Sequence, residues 1–330
     1  MSTYNSGSMS SNDILDQLRT KQIISDQHSE TISDFLDSRP FSLYHELRSI
    51  LYLGILLFTS GVGVIVYDNI DSIGHQIIIS ILAILCILLL GHSVKHRSPF
   101  SWLKTIPQSK LADYSLLLGC SLFLILEGYV QYQYELFGTR YGLAVAIPTL
   151  LFFFLAYRFD HIGVLSMALT GLASWLGLTI SPTSVIREND FTSESLLITA
   201  IVLGLALAVA GKVSEIKQLK SHFSFTYLLF GANLASAAAL AGLFNHTVWF
   251  VYFIISIALS LYLIQTARKE QSAVFLVMGV IYGYVAISYA LFYLTPDIMV
   301  GLLGIFYMLA SSAGTLIFLL NFRKILGTKR

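Results

Sequence analysis

The chain has 330 residues, of which 55% are apolar and 12% charged, and its mean hydropathy is +0.73. Soluble domains carry roughly 25% charged residues, so too few charges are present to coat a soluble particle of this length; a soluble enzyme, a disordered chain, a coiled coil and a secreted disulfide scaffold are excluded. A net charge of +1 supplies no global basic field for nucleic acid, and lipid is the solvent for most of the molecule.

Residues 1–11 are rich in Ser, Asn and Gly, with little to bury, and are expected to form a disordered tail. They lack the basic start and apolar core of a cleaved signal, so the first membrane helix is expected to direct insertion. Residues 12–47 predict a small cytosolic helical hairpin and linker. Asn12 or Asp13 caps a first helix with Ile14, Leu15 and Leu18 at helical spacing, and Ser25 caps a second whose apolar face is Ile32, Phe35 and Leu36. Pro40 breaks the hairpin from the first membrane span.

Over 48–321 apolar stretches of about 20 residues, each long enough to cross a bilayer, alternate with short polar turns. Ten crossings are expected, near 48–67, 75–93, 113–131, 141–157, 162–180, 195–211, 223–243, 247–266, 272–294 and 298–321. Continuous runs such as IIISILAILCILLL show none of the alternation of a membrane β-barrel. An open sheet would leave backbone groups unsatisfied in lipid. The expected fold class is therefore all-α, a polytopic membrane helix bundle, followed by a basic cytosolic tail at 322–330. Placing the N-terminus in the cytosol puts every Lys and Arg except Arg140 and Arg187 on the inner side, as the positive-inside rule requires of an even count with both termini cytosolic. The segments LLLGCSL (116–122) and LLFGANL (228–234) are alike at the same polarity. They suggest a parallel 4+4 repeat of helices 3–6 and 7–10, although apolar composition alone also produces such likeness.

Within these spans Glu127 is the one clear carboxylate. In lipid such a group pairs, protonates or lines a wet cavity. Near the outer end of its span, beside Tyr129, Tyr132 and Tyr134, it reads either as a structural acid, snorkelling or paired with Arg140, or as part of a substrate or proton pathway. Asn233 and Ser236 stand mid-span among Gly231, Ala232, Ala235, Ala238, Ala239 and Gly242, which reads as a tight interhelical seam with a polar ligand contact as the alternative. Gly54, Gly61, Gly63, Gly301, Gly304 and Gly314 invite the same seam reading, and Pro148 predicts a kink. Tyr282, Tyr284, Tyr289 and Tyr293 serve as interfacial anchors or, with Tyr132, Tyr134 and Glu127, rim a polar cavity. The candidate pathway residues are thus Glu127, Tyr129, Asn233, Ser236 and Tyr284.

Other chemistry is thinly represented. His92 and His96 are four residues apart, with His45, Asp160, His161 and His222 on the same side, but helix-end histidines more often bond carbonyls, and no HExxH pattern supplies a metal centre. Cys86 and Cys120 sit in apolar runs without a CxxC neighbour and read as small buried hydrophobes. The turns Arg158–His161 and Arg268–Glu270 read as local salt-bridged hairpin ends, with the gating of a pathway as the alternative. No dinucleotide fingerprint, P-loop or nucleophile elbow is present, so no enzymatic activity, cofactor or metal is expected.

Leu18, the run Ile23-Ile24-Ser25-Asp26-Gln27, Ile32, Leu51–Leu57 (LYLGILL) and Gly61–Asn69 (GVGVIVYDN) together resemble the bacterial integral membrane proteins of domain of unknown function 2157. The resemblance covers roughly 12–110 and departs from the pattern at Tyr67-Asp68-Asn69-Ile70, where a Trp often follows the first span. It implies a multi-span protein of the bacterial inner (cytoplasmic) membrane and carries over no catalytic residue. Two functional readings remain open. One is a transporter-like protein with a polar cavity between helical units; the other is a membrane scaffold or sensor whose hairpin, residues 12–40, binds a cytosolic protein. Beyond that, the expected partner is the lipid bilayer, with no nucleic acid.

Overall fold

The computed structural model describes residues 44–68, 74–105, 109–138, 140–181, 185 and 190–326, together with Ser25 and His28. The expected tail over 1–11 lies outside the described residues, as does most of the expected hairpin over 12–47. Within the latter, the His28 N–H donates to Ser25 Oγ at 3.3 Å, the bond an N-capping serine makes to the first helical turn. The chain divides into two compact units, residues 1–54 and 55–330, and the helical bundle belongs to the second.

Every regular element among the described residues is helical. In chain order they are α1 Tyr44–Asp68, α2 His75–Lys95, α3 Lys110–Tyr134, α4 Tyr141–Phe159, α5 Ile162–Ile180, α6 Glu194–Ile216, a 3-10 turn at Ser221–Phe223, α7 Ser224–Asn245, α8 Trp249–Glu270, α9 Ala273–Tyr293 and α10 Asp297–Leu326. Among the described residues, α2 to α10 are nine helices long and apolar enough to cross a membrane, and α1 contributes a shorter apolar stretch, Ser49–Ile65. Large apolar side chains such as Leu150, Val202 and Leu320, 69%, 59% and 85% exposed, point outward; a surface this apolar is stable against hydrocarbon and not against water. α10 runs on through residues 322–326, so the expected basic tail begins as helix.

Consecutive helices pack as antiparallel hairpins, α2 on α3, α4 on α5, α6 on α7 and α8 on α9. With no hydrophobic drive between helices in lipid, close backbone approach has to supply the attraction. The α6–α7 seam does this. A Cβ built on Gly204 would stand 2.5 Å from the Gly231 carbonyl, and one on Gly211 would stand 2.9 Å from the Ser224 carbonyl. The small-residue stretch of α7 is therefore a seam, as its composition suggests, and α7 is the most enclosed helix. Between α8 and α9, Ser260 Oγ donates to the Gly279 carbonyl at 2.7 Å beneath Gly283. The glycines of α1 and α10 behave otherwise: a Cβ at Gly54, Gly61, Gly63, Gly301, Gly304 or Gly314 would meet nothing within 4 Å, because none of the described helices reaches those faces.

Candidate functional site

Glu127 lies late in α3 and lines a cavity of about 420 Å³ whose other walls are α4, from Ala144 to Phe152, and α5, from Ser166 to Ser174. That volume lies within the ~300–1,000 Å³ usual for small-molecule sites. Local structure opens it. Pro148 stands inside α4 and has no N–H to return to the carbonyl one turn back, while Gly171 of α5 approaches the Thr149 side chain closely. Glu127 Oε1 is buried and has no hydrogen-bond partner among the described residues, and no ion pair with Arg140 is found there. Three of the four hydroxyls that line the cavity, all but Ser174, are already committed as donors. Thr149 Oγ1 donates to the Val145 carbonyl at 2.7 Å, Ser166 Oγ to Ile162 at 3.1 Å and Thr170 Oγ1 to Ser166 at 3.0 Å. What these groups retain for the cavity is lone pairs. A carboxyl oxygen and three hydroxyl oxygens thus present an acceptor-rich lining in an otherwise apolar chamber.

The remaining sequence candidates are not brought to this cavity. Tyr129 faces α2, where its hydroxyl meets His75 Nδ1 at 2.7 Å. Asn233 Oδ1 accepts from the Tyr282 hydroxyl, linking α7 to α9. Ser236 is 1% exposed in the α7 seam, its Oγ without a partner among the described residues. Tyr284 bonds Ser311 Oγ at 2.8 Å, joining α9 to α10. The tyrosines of α9 form no ring around Glu127: Tyr289 stacks on Tyr293 with centroids 5.6 Å apart, and Tyr293 meets Trp249 at 4.9 Å. Apart from the Tyr289–Tyr293 stack within α9, these contacts are interhelical fasteners at several separate points.

A second polar centre, which sequence reasoning takes for a set of local hairpin ends, joins three loops at the end of the bundle that carries the basic turns. Asp160, with φ +60°, caps the C-terminus of α4. Its Oδ1 meets Lys220 Nζ at 2.9 Å and His222 Nε2 at 2.6 Å. Its Oδ2 accepts from the Thr105 N–H at 2.5 Å and the Thr105 hydroxyl at 3.0 Å. The Asp160 and Lys220 side chains are 2% and 1% exposed. Burial by itself pushes the Asp160 carboxyl up, but the Thr105 amide, the Lys220 ammonium and the His222 ring outweigh it and hold the carboxyl below its ordinary value. Lys220 is positioned by its own left-handed backbone, whose N–H donates to the Trp102 carbonyl at 2.8 Å, and its Nζ sits 5.4 Å from the centre of the Phe100 ring. Arg158 Nη1 donates to the Ser98 carbonyl at 3.1 Å. His161 Nδ1 accepts the Val164 N–H at 3.1 Å and so caps α5, which leaves the ring proton on Nε2, 3.5 Å from Asp113 Oδ1. The signal available in the sequence is an acid set in a turn of basic residues, RFDH, but nothing in spacing indicates that its partner lies 60 residues on.

The helical course and the apolar exterior fit one comparison. Residues 16–165 match the family described as predicted membrane protein (DUF2157). The match runs well past the 12–110 on which the sequence resemblance rests. No curated protein and no solved structure matches the chain. The DUF2157 segment contains Glu127, Pro148, Thr105 and Asp160, whereas Lys220 and His222, which complete the second centre, lie beyond it, as do Ser166, Thr170 and Gly171 of the cavity wall.

Proposed function

We propose that this is a non-enzymatic, transporter-like protein of the bacterial inner membrane, with both termini in the cytosol, that takes a small hydrogen-bond-donating solute at the Glu127 cavity. The observation that carries this reading is the acceptor-rich chamber around an unpartnered carboxyl oxygen. An ionised acid in hydrocarbon costs several kcal/mol unless it finds a partner or a proton, and three of the four hydroxyls around it are spent as donors. A ligand matching the chamber brings N–H or O–H groups of its own; a compact organic ammonium ion, or a proton exchanged for one, has that chemistry. Orientation is supported by the basic turns. Hydrogen bonds tie 98–105, 158–160 and 217–222 together, and Arg268 Nε donates to the Ile325 carbonyl at 3.0 Å, so the Lys- and Arg-rich loops share one end, the side the positive-inside rule assigns to the cytosol.

The test is flux in proteoliposomes containing the full chain and an internal pH dye, challenged with methylamine, ethylamine and choline under an imposed pH gradient. Protein-dependent flux is expected for at least one of these, abolished by Glu127→Gln and retained by Tyr132→Phe, a change at an exposed position away from the cavity. Flux that survives Glu127→Gln, or the absence of any protein-dependent flux, contradicts the reading.

A further inference from the structure

A larger cavity, of about 700 Å³, opens at the basic end between α6, α7, α8 and α9, and it shares no lining residue with the Glu127 chamber. Its charged wall consists of Lys104, Lys212, Lys269, Glu215, Glu270 and His222. Two of these satisfy each other, since Lys212 Nζ lies 2.7 Å from Glu215 Oε2. Lys104 and Lys269 have no ion-pair partner among the described residues, and the single acid left to oppose them is Glu270. His222 adds a second signal. Its Nε2 is held by Asp160, which is off the cavity wall, and a carboxylate only accepts, so Nε2 carries the proton it donates. The other nitrogen, Nδ1, is buried and lacks a partner among the described residues. Buried polar atoms are nearly always satisfied, and the His222 residue is itself part of the cavity wall. The floor, by contrast, is apolar, formed by Phe225, Leu228 and Phe275.

We infer that this cavity is a binding site for a phosphate-bearing group, seated between Lys104 and Lys269 beside His222, with any apolar portion lying over Phe225 and Phe275. Several donors spread around one space suit a group with several anionic oxygens, and Glu270 on the same wall limits the ligand to low net charge. A phospholipid headgroup and a soluble phosphate ester share that chemistry. The site is independent of the transport reading, since no step of it involves Glu127.

Native mass spectrometry of the full chain in a neutral detergent separates the outcomes, with dioleoylphosphatidylglycerol, glycerol 1-phosphate and phosphate-free dioleoylglycerol as probes. Saturable binding of dioleoylphosphatidylglycerol is expected, weakened about tenfold (roughly 1.4 kcal/mol) in the Lys104→Gln/Lys269→Gln double variant and unchanged in a control pair, Lys95→Gln/Lys324→Gln. All four lysines are exposed, so the substitutions remove no buried side chain. Glycerol 1-phosphate binding with the same dependence on Lys104 and Lys269 assigns the site to a soluble ester; its failure to bind while the lipid does assigns it to the bilayer. The inference is overturned if neither phosphate probe binds more tightly than dioleoylglycerol, or if the control pair weakens binding as much as the double variant.

Discussion

Asp160 is the residue on which the basic end depends most. Its carboxylate faces a buried ammonium, an imidazole and a backbone N–H at once, and removing one member of such a set strands the others without water to replace it. Asp160→Ala is expected to cost about 3 kcal/mol or more, with Asp160→Asn intermediate because it keeps an acceptor for Thr105 and loses the charge; thermal unfolding of the full chain in detergent measures both. The carboxyl is held below its ordinary value in the folded protein, so it binds its proton less readily folded than unfolded. Its stabilisation is therefore full above roughly pH 4, the ordinary carboxylate range, and is lost as pH falls through the folded value. The Asp160→Asn variant is expected to lack that acid-side loss, and an unfolding temperature that falls equally in both proteins between about pH 5 and pH 3 would contradict the assignment. Glu127 and Asp160 differ in legibility. Glu127 stands out because a single charge interrupts an apolar run, whereas Asp160 lies in a turn where charge is ordinary, and only tertiary structure reveals that Lys220 and Thr105 converge on it.

Among the helices, glycine carries two different meanings that the sequence writes identically. Gly231 of α7 faces backbone atoms of α6, and those atoms cannot step aside as a flexible side chain would. Gly231→Ala is expected to destabilise by about 1–3 kcal/mol, the usual cost of overpacking. Gly304→Ala on α10, where a Cβ meets nothing within 4 Å, is expected to be neutral or slightly stabilising through helix propensity. Paired unfolding measurements distinguish the two, and equal costs at both sites would place a neighbour against α10 that the described residues do not supply. Small-residue spacing reads as a seam in either helix; which glycines meet a partner depends on tertiary packing, and local sequence does not hold that information. The helices themselves are legible to within about five residues at either end, because lipid demands both length and uninterrupted apolarity. The tyrosine ring is not. Tyr284 and Tyr289 share a helix, yet they meet different neighbours.

For the whole molecule, the distribution of Lys and Arg and the hydrogen bonds joining the basic loops describe one end of a bundle whose other end carries Arg140. A phosphatase reporter, active only outside the cytosol, is expected to be silent when fused after Leu326 and active when inserted after Gly138; the reverse pattern would invert the orientation proposed from charge. The proposed transport role turns most heavily on a carboxyl that is sunk in hydrocarbon and still reachable through a cavity. Labelling with dicyclohexylcarbodiimide, an apolar reagent that modifies protonated carboxyls, tests this directly in native membranes. Glu127 is predicted to be modified, with the modification slowed by methylamine, ethylamine or choline and removed by Glu127→Gln. Failure of Glu127 to react, or a reaction no amine slows, would contradict that role.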